Sequence, residues 1–356
     1  MTTLISRRGT RRLVRTAIGA TATTALLLGA AASATTASAA PGTDSGLFGT
    51  SDPTYDGVYR QSVALIGLQA AGAKLPTSAV SWLTRQQCSD GSFVAYRPST
   101  TDACPAADPV NFTGPDSNST ALAAMALATA GKGKEANSAS RWLVANQNAD
   151  GGWGYIAGSD SDANSTGLAL AALDRSTNNE VKAERRGLTY LRTIAGDCSK
   201  GAAAIAYQAG QAANPLASAQ ALLGLNTGLP LQESPAKYTA AQRCTEKLDQ
   251  QVAQYLANEL KSNKGVLPSA MDATQPDYNT TSWSVIGLVG ANWPLAQYST
   301  SVKQLKANAR DYVGTGSTAS PAAAGTLAVV AETTGSRARS FGGVNLVSTI
   351  LSTLQS

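Results

Sequence analysis

Apolar residues fall in two alternating patterns along this chain. The first is short, rich in Ala, Gly and Leu, and apolar nearly all round, at 57–71, 118–130, 165–174, 214–226, 280–290 and 321–333. A helix with no polar face has to be buried on every side. These six segments are therefore read as inner helices. The second pattern is amphipathic. Over 248–260, Leu248, Val252, Tyr255, Leu256 and Leu260 share one face, and Asp249, Gln250, Gln254, Asn258 and Glu259 take the other. The same split predicts an outer helix at 180–194, with Val181, Leu188, Leu191 and Ile194 against Lys182, Glu184, Arg185 and Arg192. Further outer helices are expected near 77–87, 136–147, 299–313 and 343–354. Six of each kind in strict alternation predict an all-α fold, an inner barrel inside an outer ring. An open solenoid of helix pairs is the alternative.

Two short signatures repeat on this background. Trp82-Leu83-x3-Gln87-x2-Asp90-Gly91-Ser92-Phe93 returns as Trp142-Leu143-x3-Gln147-x2-Asp150-Gly151-Gly152-Trp153, with the same 11-residue spacing between aromatics. A weaker copy runs from Tyr255 to Val266 and keeps Gly265. Glycine permits a turn at positive φ, and the aromatic covers the next helix end, which reads as a structural staple. The second signature precedes three inner helices: Asp116-Ser117-Asn118-Ser119-Thr120, Asp162-Ala163-Asn164-Ser165-Thr166 and Asp277-Tyr278-Asn279-Thr280-Thr281. Such residues cap helix N-termini by accepting from free backbone N–H groups. In a closed barrel the inner helices run parallel, so these starts ring one mouth. Asp116, Asn118, Asp162, Asn164, Asp277 and Asn279, with Tyr59 and Trp283 from the inner helices, are then candidate ligand contacts.

The Trp-Leu-x3-Gln-x2-Asp-Gly segments resemble the repeat of squalene-hopene cyclases and protein prenyltransferase subunits, whose fold is an α/α toroid. The resemblance is strong over 82–93 and 142–153 and implies that Trp82, Gln87, Gly91 and Phe93, and Trp142, Gln147, Gly151 and Trp153, tie each outer helix to its neighbour. It also implies where chemistry would sit, because class II cyclases of this kind protonate substrate with an Asp-x-Asp-Asp element at the same helix start. Asp162 matches its first acid, while Asn164 and Ser165 replace the two later ones. Neither can act as the tuned carboxylic acid that such protonation needs. Prenyltransferases bind zinc through Asp, Cys and His, and this chain has no His. That absence also removes Ser-His-Asp and Cys-His catalysis. The expected protein is a non-catalytic toroid with a polar mouth, binding an unidentified small or extended ligand without metal or cofactor. The alternatives are a degenerate cyclase or prenyltransferase-like enzyme, or a polysaccharide-processing enzyme with Asp116, Asp162 and Asp277 as its carboxylates.

Composition changes this picture little until the N-terminus is set aside. Arg7, Arg8, Arg11, Arg12 and Arg15 precede an apolar run from Ile18 to Ala32, and Ala37-Ser38-Ala39 offers a cleavage site. Residues 1–39 read as a signal peptide, 40–52 as a linker and 53–356 as the helical ring. The chain has 28 Lys and Arg against 23 Asp and Glu, a net charge of +5. All five of those excess charges lie in the leader, so the rest is neutral and gives no footing for nucleic acid. No second apolar run approaches the ~20 residues of a membrane span. A secreted monomer is expected. Cys88, Cys104, Cys198 and Cys244 make an even count, which in an exported protein suggests two disulfides. Proximity favours Cys88–Cys104 and Cys198–Cys244, one of three pairings.

Overall fold

A computed structural model describes residues 45–176, 180–226, 228–233 and 243–356. The leader expected at 1–39 lies outside them. The inner helices are α1 (Gly57–Ala70), α3 (Ser117–Thr129), α5 (Ala163–Leu173), α7 (Pro215–Leu225), α9 (Tyr278–Gly290) and α12 (Pro321–Thr333). Between them lie the outer helices α2 (Thr77–Gln86), α4 (Gly133–Ala145), α6 (Val181–Thr193), α8 (Leu248–Ser262), α10 (Ser299–Ala307), α11 (Ala309–Val313) and α13 (Leu346–Ser352). Each inner helix packs on the next, α1 on α3, α3 on α5, α5 on α7, α7 on α9 and α9 on α12. Helix α12 then packs on α1 and closes the ring. This is an α/α toroid, and the open solenoid is excluded. No strand occurs among the described residues, and none of their helices is long and apolar enough to cross a membrane.

The small residues of the inner helices have a steric reason. A Cβ added to Gly67 of α1 would lie 2.5 Å from the backbone of Gly325 in α12, so bare backbones meet where the ring closes. Almost every inner-helix residue is buried, α5 along its whole length. Outer helices bury one face, as Val252, Leu256 and Leu260 do in α8. Two outer elements depart from the periodicity. Val181 is exposed, and Ala183, Gly187, Tyr190 and Leu191 form the buried face of α6. The helix expected over 299–313 breaks at Asn308, whose side chain donates to the Gln304 carbonyl at 2.8 Å and competes with the backbone there. Asn146 and Asn263 end α4 and α8 with the same bond to the residue four before. The last outer helix is also shorter than the expected 343–354, because Asn345 caps it by accepting from Ser348 N–H.

The repeat residues form a clasp that recurs around the ring. Gln87 donates to the carbonyls of Gly91 and Glu135, and Gln147 to those of Gly151 and Ala183, so each ties its own turn to the first turn of the next outer helix. The turn needs glycine: Gly91 has φ +96°, and a Cβ there would lie 2.5 Å from the Ser138 carbonyl oxygen. The aromatic that follows is fully buried and held by the next inner helix. Phe93 N–H donates to Thr120 Oγ1 at 3.0 Å, and Phe93 C=O accepts from Asp116 N–H at 3.0 Å. Trp153 makes the same pair with Thr166 and Asp162, at 2.9 Å each. Ile205 makes it with Ser218 and Asn214, and Leu267 with Thr281 and Asp277. The weak copy therefore pairs Gly265 with Leu267 and not with Val266.

Residues 45–49 and 353–355 complete one further clasp. Residues 45–49, expected within a linker, are packed into the ring, with Leu47 and Phe48 fully buried. Gln355 N–H donates to Leu47 C=O and Gly46 N–H to Gln355 C=O, as Cys88 and Asn148 do with Ser92/Gly91 and Gly152/Gly151. Gly46 has φ +97°, matching Gly91. Buried Gln61 of α1 replaces the repeat glutamine, accepting from Phe48 N–H and donating to Gly46 and Ala79 carbonyls. The disulfides pair Cys88 with Cys104 and Cys198 with Cys244.

Candidate functional site

Backbone bonds set the inner-helix starts side by side. Val58, Ser117 and Ala163, at the first turns of α1, α3 and α5, donate to the carbonyls of Ala95, Tyr155 and Tyr207 in the loop before the next inner helix, each at 2.8 Å. The short extended segment 153–156 thus runs between the starts of α3 and α5, bridging Asp162 at one end and Asp116 at the other.

The three aspartates are all N-caps, and they differ in what remains free. Asp162 Oδ1 accepts from Ser165 N–H at 2.7 Å and Oδ2 from Ser165 Oγ at 2.8 Å. Asp277 does the same with Thr280, at 2.8 and 2.5 Å. Both carboxylates are used by their own helix. Asp116 Oδ1 accepts from Ser119 N–H at 2.6 Å. The Ser119 hydroxyl lies beside this carboxyl but without the geometry of a bond to Oδ2, which is buried with no partner. Asn118 Oδ1 and Asn164 Oδ1 are likewise buried and unpartnered, while Asn164 Nδ2 donates to Gln220 Oε1 of α7 at 2.6 Å.

Burial dominates the electrostatics of this arc. It pushes the carboxyls of Asp116 and Asp162 up to about 7, outweighing the cap hydrogen bonds that favour the charged form. Tyr155 stands between the two acids. Its backbone N–H helps hold the Asp162 charge, and its phenol is raised first by the Asp116 carboxylate and then by burial. Tyr207 is raised by burial and by Asp162. Among the described residues no Lys or Arg lies within ion-pair distance of either acid.

The remaining expected contacts fall elsewhere on the mouth. Trp283 is buried in α9, and Tyr59 of α1 lies beside it with its phenol pushed up to about 12 by burial, against the opposing effect of the indole. Tyr278 and Tyr312 join them with ring centroids 5.5 Å apart. This aromatic group belongs to the α9–α12–α1 side, and the free oxygens to the α3–α5–α7 side. Asn279 is half-buried at the start of α9. Tyr155, Tyr207 and Gln220 were not among the sequence candidates. Tyr155 and Tyr207 were findable, since each lies two residues after a clasp residue, Trp153 or Ile205. Gln220 sits in an apolar helix and carries no local signal.

No family model matches this sequence, and no curated protein is similar to it. Among solved structures, a protein from Actinoplanes is similar at TM-score 0.50 and 16% identity, over 81% of this chain and 79% of that one. The type II terpene cyclase MstE from Scytonema is similar at TM-score 0.43 and 14% identity, over 69% of this chain and 68% of its own. The ent-copalyl diphosphate synthase from Streptomyces platensis is similar at TM-score 0.32 and 16% identity, over 68% of this chain and 50% of its own. The likeness to the Actinoplanes protein is one of fold alone.

Proposed function

We propose that the chain is an exported, non-catalytic toroid that binds a ligand on the α3–α5–α7 arc of its mouth. The observation that carries this reading is the contrast between Asp162 and its neighbours. Both Asp162 oxygens serve Ser165, and Asn164 and Ser165 stand where the resembling cyclases have acids. Asp116 Oδ2, Asn118 Oδ1 and Asn164 Oδ1 meanwhile stay buried without a donor. Each such atom costs about 1–3 kcal/mol when left unsatisfied, so the arc gains from a molecule that supplies donors. Two disulfides and the basic, apolar leader support export.

Native mass spectrometry of the disulfide-bonded protein, with residues 1–39 removed, is expected to show a bound small molecule. An apo mass from several expression hosts would count against the reading. One observation favours an enzyme instead: Asp116 has a free oxygen and a carboxyl poised at about 7. On that reading squalene or a polyprenyl diphosphate is turned over, and Asp116→Asn abolishes turnover while Asp162→Asn does not. Absence of product from both substrates would leave the binding reading standing.

A further inference from the structure

The three free oxygens are all acceptors. Asp116 Oδ2 and Asn118 Oδ1 come from the first turn of α3, and Asn164 Oδ1 from that of α5. Asp116 is 1% exposed and Asn164 9%, so bulk water reaches neither freely. Asn164 is fixed in this sense by its amide, which is engaged with Gln220. The two buried carboxyls here face no basic side chain among the described residues, whereas buried Arg60 on the α1 side has Asp56 at 3.0 Å. Asp116 Oδ1 takes the cap hydrogen bond from Ser119 N–H, but Oδ2 is left buried with neither counter-charge nor donor, and buried charges are ordinarily paired. A group that donates hydrogen bonds would satisfy these oxygens, and a positive charge on it would favour the ionised form of Asp116 that burial opposes. A primary ammonium has three N–H donors and no acceptor. Phosphates, carboxylates and sulfates fail on both counts, and a neutral polyol meets only one.

On the binding reading above, we propose that the α3–α5–α7 arc is a site for a primary ammonium ligand, its three N–H groups satisfying Asp116, Asn118 and Asn164. Tyr155 and Tyr207 are half-buried on the same arc, close enough to Asp116 and Asp162 for those charges to raise their phenols. The site selects against a methylated quaternary amine, which has charge but no donor, and against an alcohol of the same shape, which has a donor but no charge.

Isothermal titration calorimetry with benzylamine, benzyl alcohol and benzyltrimethylammonium separates these requirements. Benzylamine is expected to bind at least tenfold more tightly than either analogue. Asp116→Asn, which keeps a cap acceptor but removes the charge, is expected to lose at least tenfold. Asn118→Ala, which leaves the Asp116 cap intact, should also weaken benzylamine, and it serves if the first variant does not fold. Equal binding of benzyl alcohol overturns the ammonium assignment and leaves the binding module in place. So does a failure of all three probes when native mass spectrometry shows a ligand of another class. Failure of the probes together with an apo mass overturns both.

Discussion

Asp116 and Asp162 occupy the same place at the starts of neighbouring helices, and one hydroxyl bond separates their chemistry. Ser165 Oγ reaches Asp162 Oδ2, whereas Ser119 leaves Asp116 Oδ2 free. Both carboxyls hold their protons up to about 7 in the folded chain, against an ordinary value of 3.8. Between those values the folded state binds more protons than the unfolded state. Their contribution to stability is therefore full below about 3.8 and is lost as pH rises to about 7. The groups facing them, Tyr155, Tyr190 and Tyr207, are raised above the ordinary tyrosine value and do not titrate in this window. Asp56 and Asp249 are raised too, so the variant comparison isolates the arc. The thermal midpoint is expected to fall from pH 4 to pH 7, and to fall less in Asp116→Asn and Asp162→Asn. A difference between wild type and variants that does not change with pH would contradict the shifts. The sequence made Asp116, Asp162 and Asp277 equivalent. What separates them is side-chain geometry within one helical turn, which spacing does not encode.

At the scale of the element, the unit of construction is the clasp between a loop residue and the fourth residue of the following capped helix. Thr120, Thr166, Ser218 and Thr281 each accept the backbone N–H of a buried loop residue, at 2.9–3.0 Å. Removing one hydroxyl strands a buried donor. Thr166→Val is therefore expected to cost about 1–3 kcal/mol, because the Trp153 N–H loses its partner in a buried site. Thr166→Ser should cost much less, since Ser218 already does this work at α7. Urea denaturation of the pair measures both, and equal losses would show that the methyl group and not the hydrogen bond is what counts. Three of the four clasps were legible because their caps read Asp-x-Asn-Ser/Thr-Thr. The fourth was hidden: Asn214 replaces Asp, Ser218 replaces Thr, and Ile205 fills the aromatic's position. Backbone pairing fixes this clasp, and backbone pairing tolerates any buried apolar side chain at the loop position. A search for aromatics finds only those copies that still carry one.

The whole ring depends on a clasp whose halves, residues 45–49 and 353–355, lie far apart in the sequence. Gln355 Nε2 donates to Gly49 C=O across 306 positions, beside the Gln355–Leu47 and Gly46–Gln355 bonds. Nothing local announces this. Gly46-Leu47-Phe48 lacks the preceding Trp-Leu-x3-Gln, because the outer helix it follows in space, α13, comes 298 residues later in the chain. Closure therefore has two parts, the α12–α1 seam, where Gly67 meets Gly325, and this terminal clasp. If the clasp contributes as a packed element does, Phe48→Ala costs about 3–5 kcal/mol, the range for a fully buried phenylalanine. Starting the chain at Thr50 should cost at least as much, because it also leaves the buried Gln61 amide without its Phe48 and Gly46 partners. A circular permutant separates the role of the clasp from that of chain order. Joining Ser356 to Ser45 through a short Gly-Ser linker and opening the chain at the exposed Gly131–Lys132 turn makes the clasp local and breaks only the α3–α4 connection. The permutant is expected to fold with all six inner helices, and Phe48→Ala within it should cost the same as in the natural order. If truncation at Thr50 instead leaves the urea midpoint unchanged, the seam alone closes the ring and residues 45–49 are a passive strap.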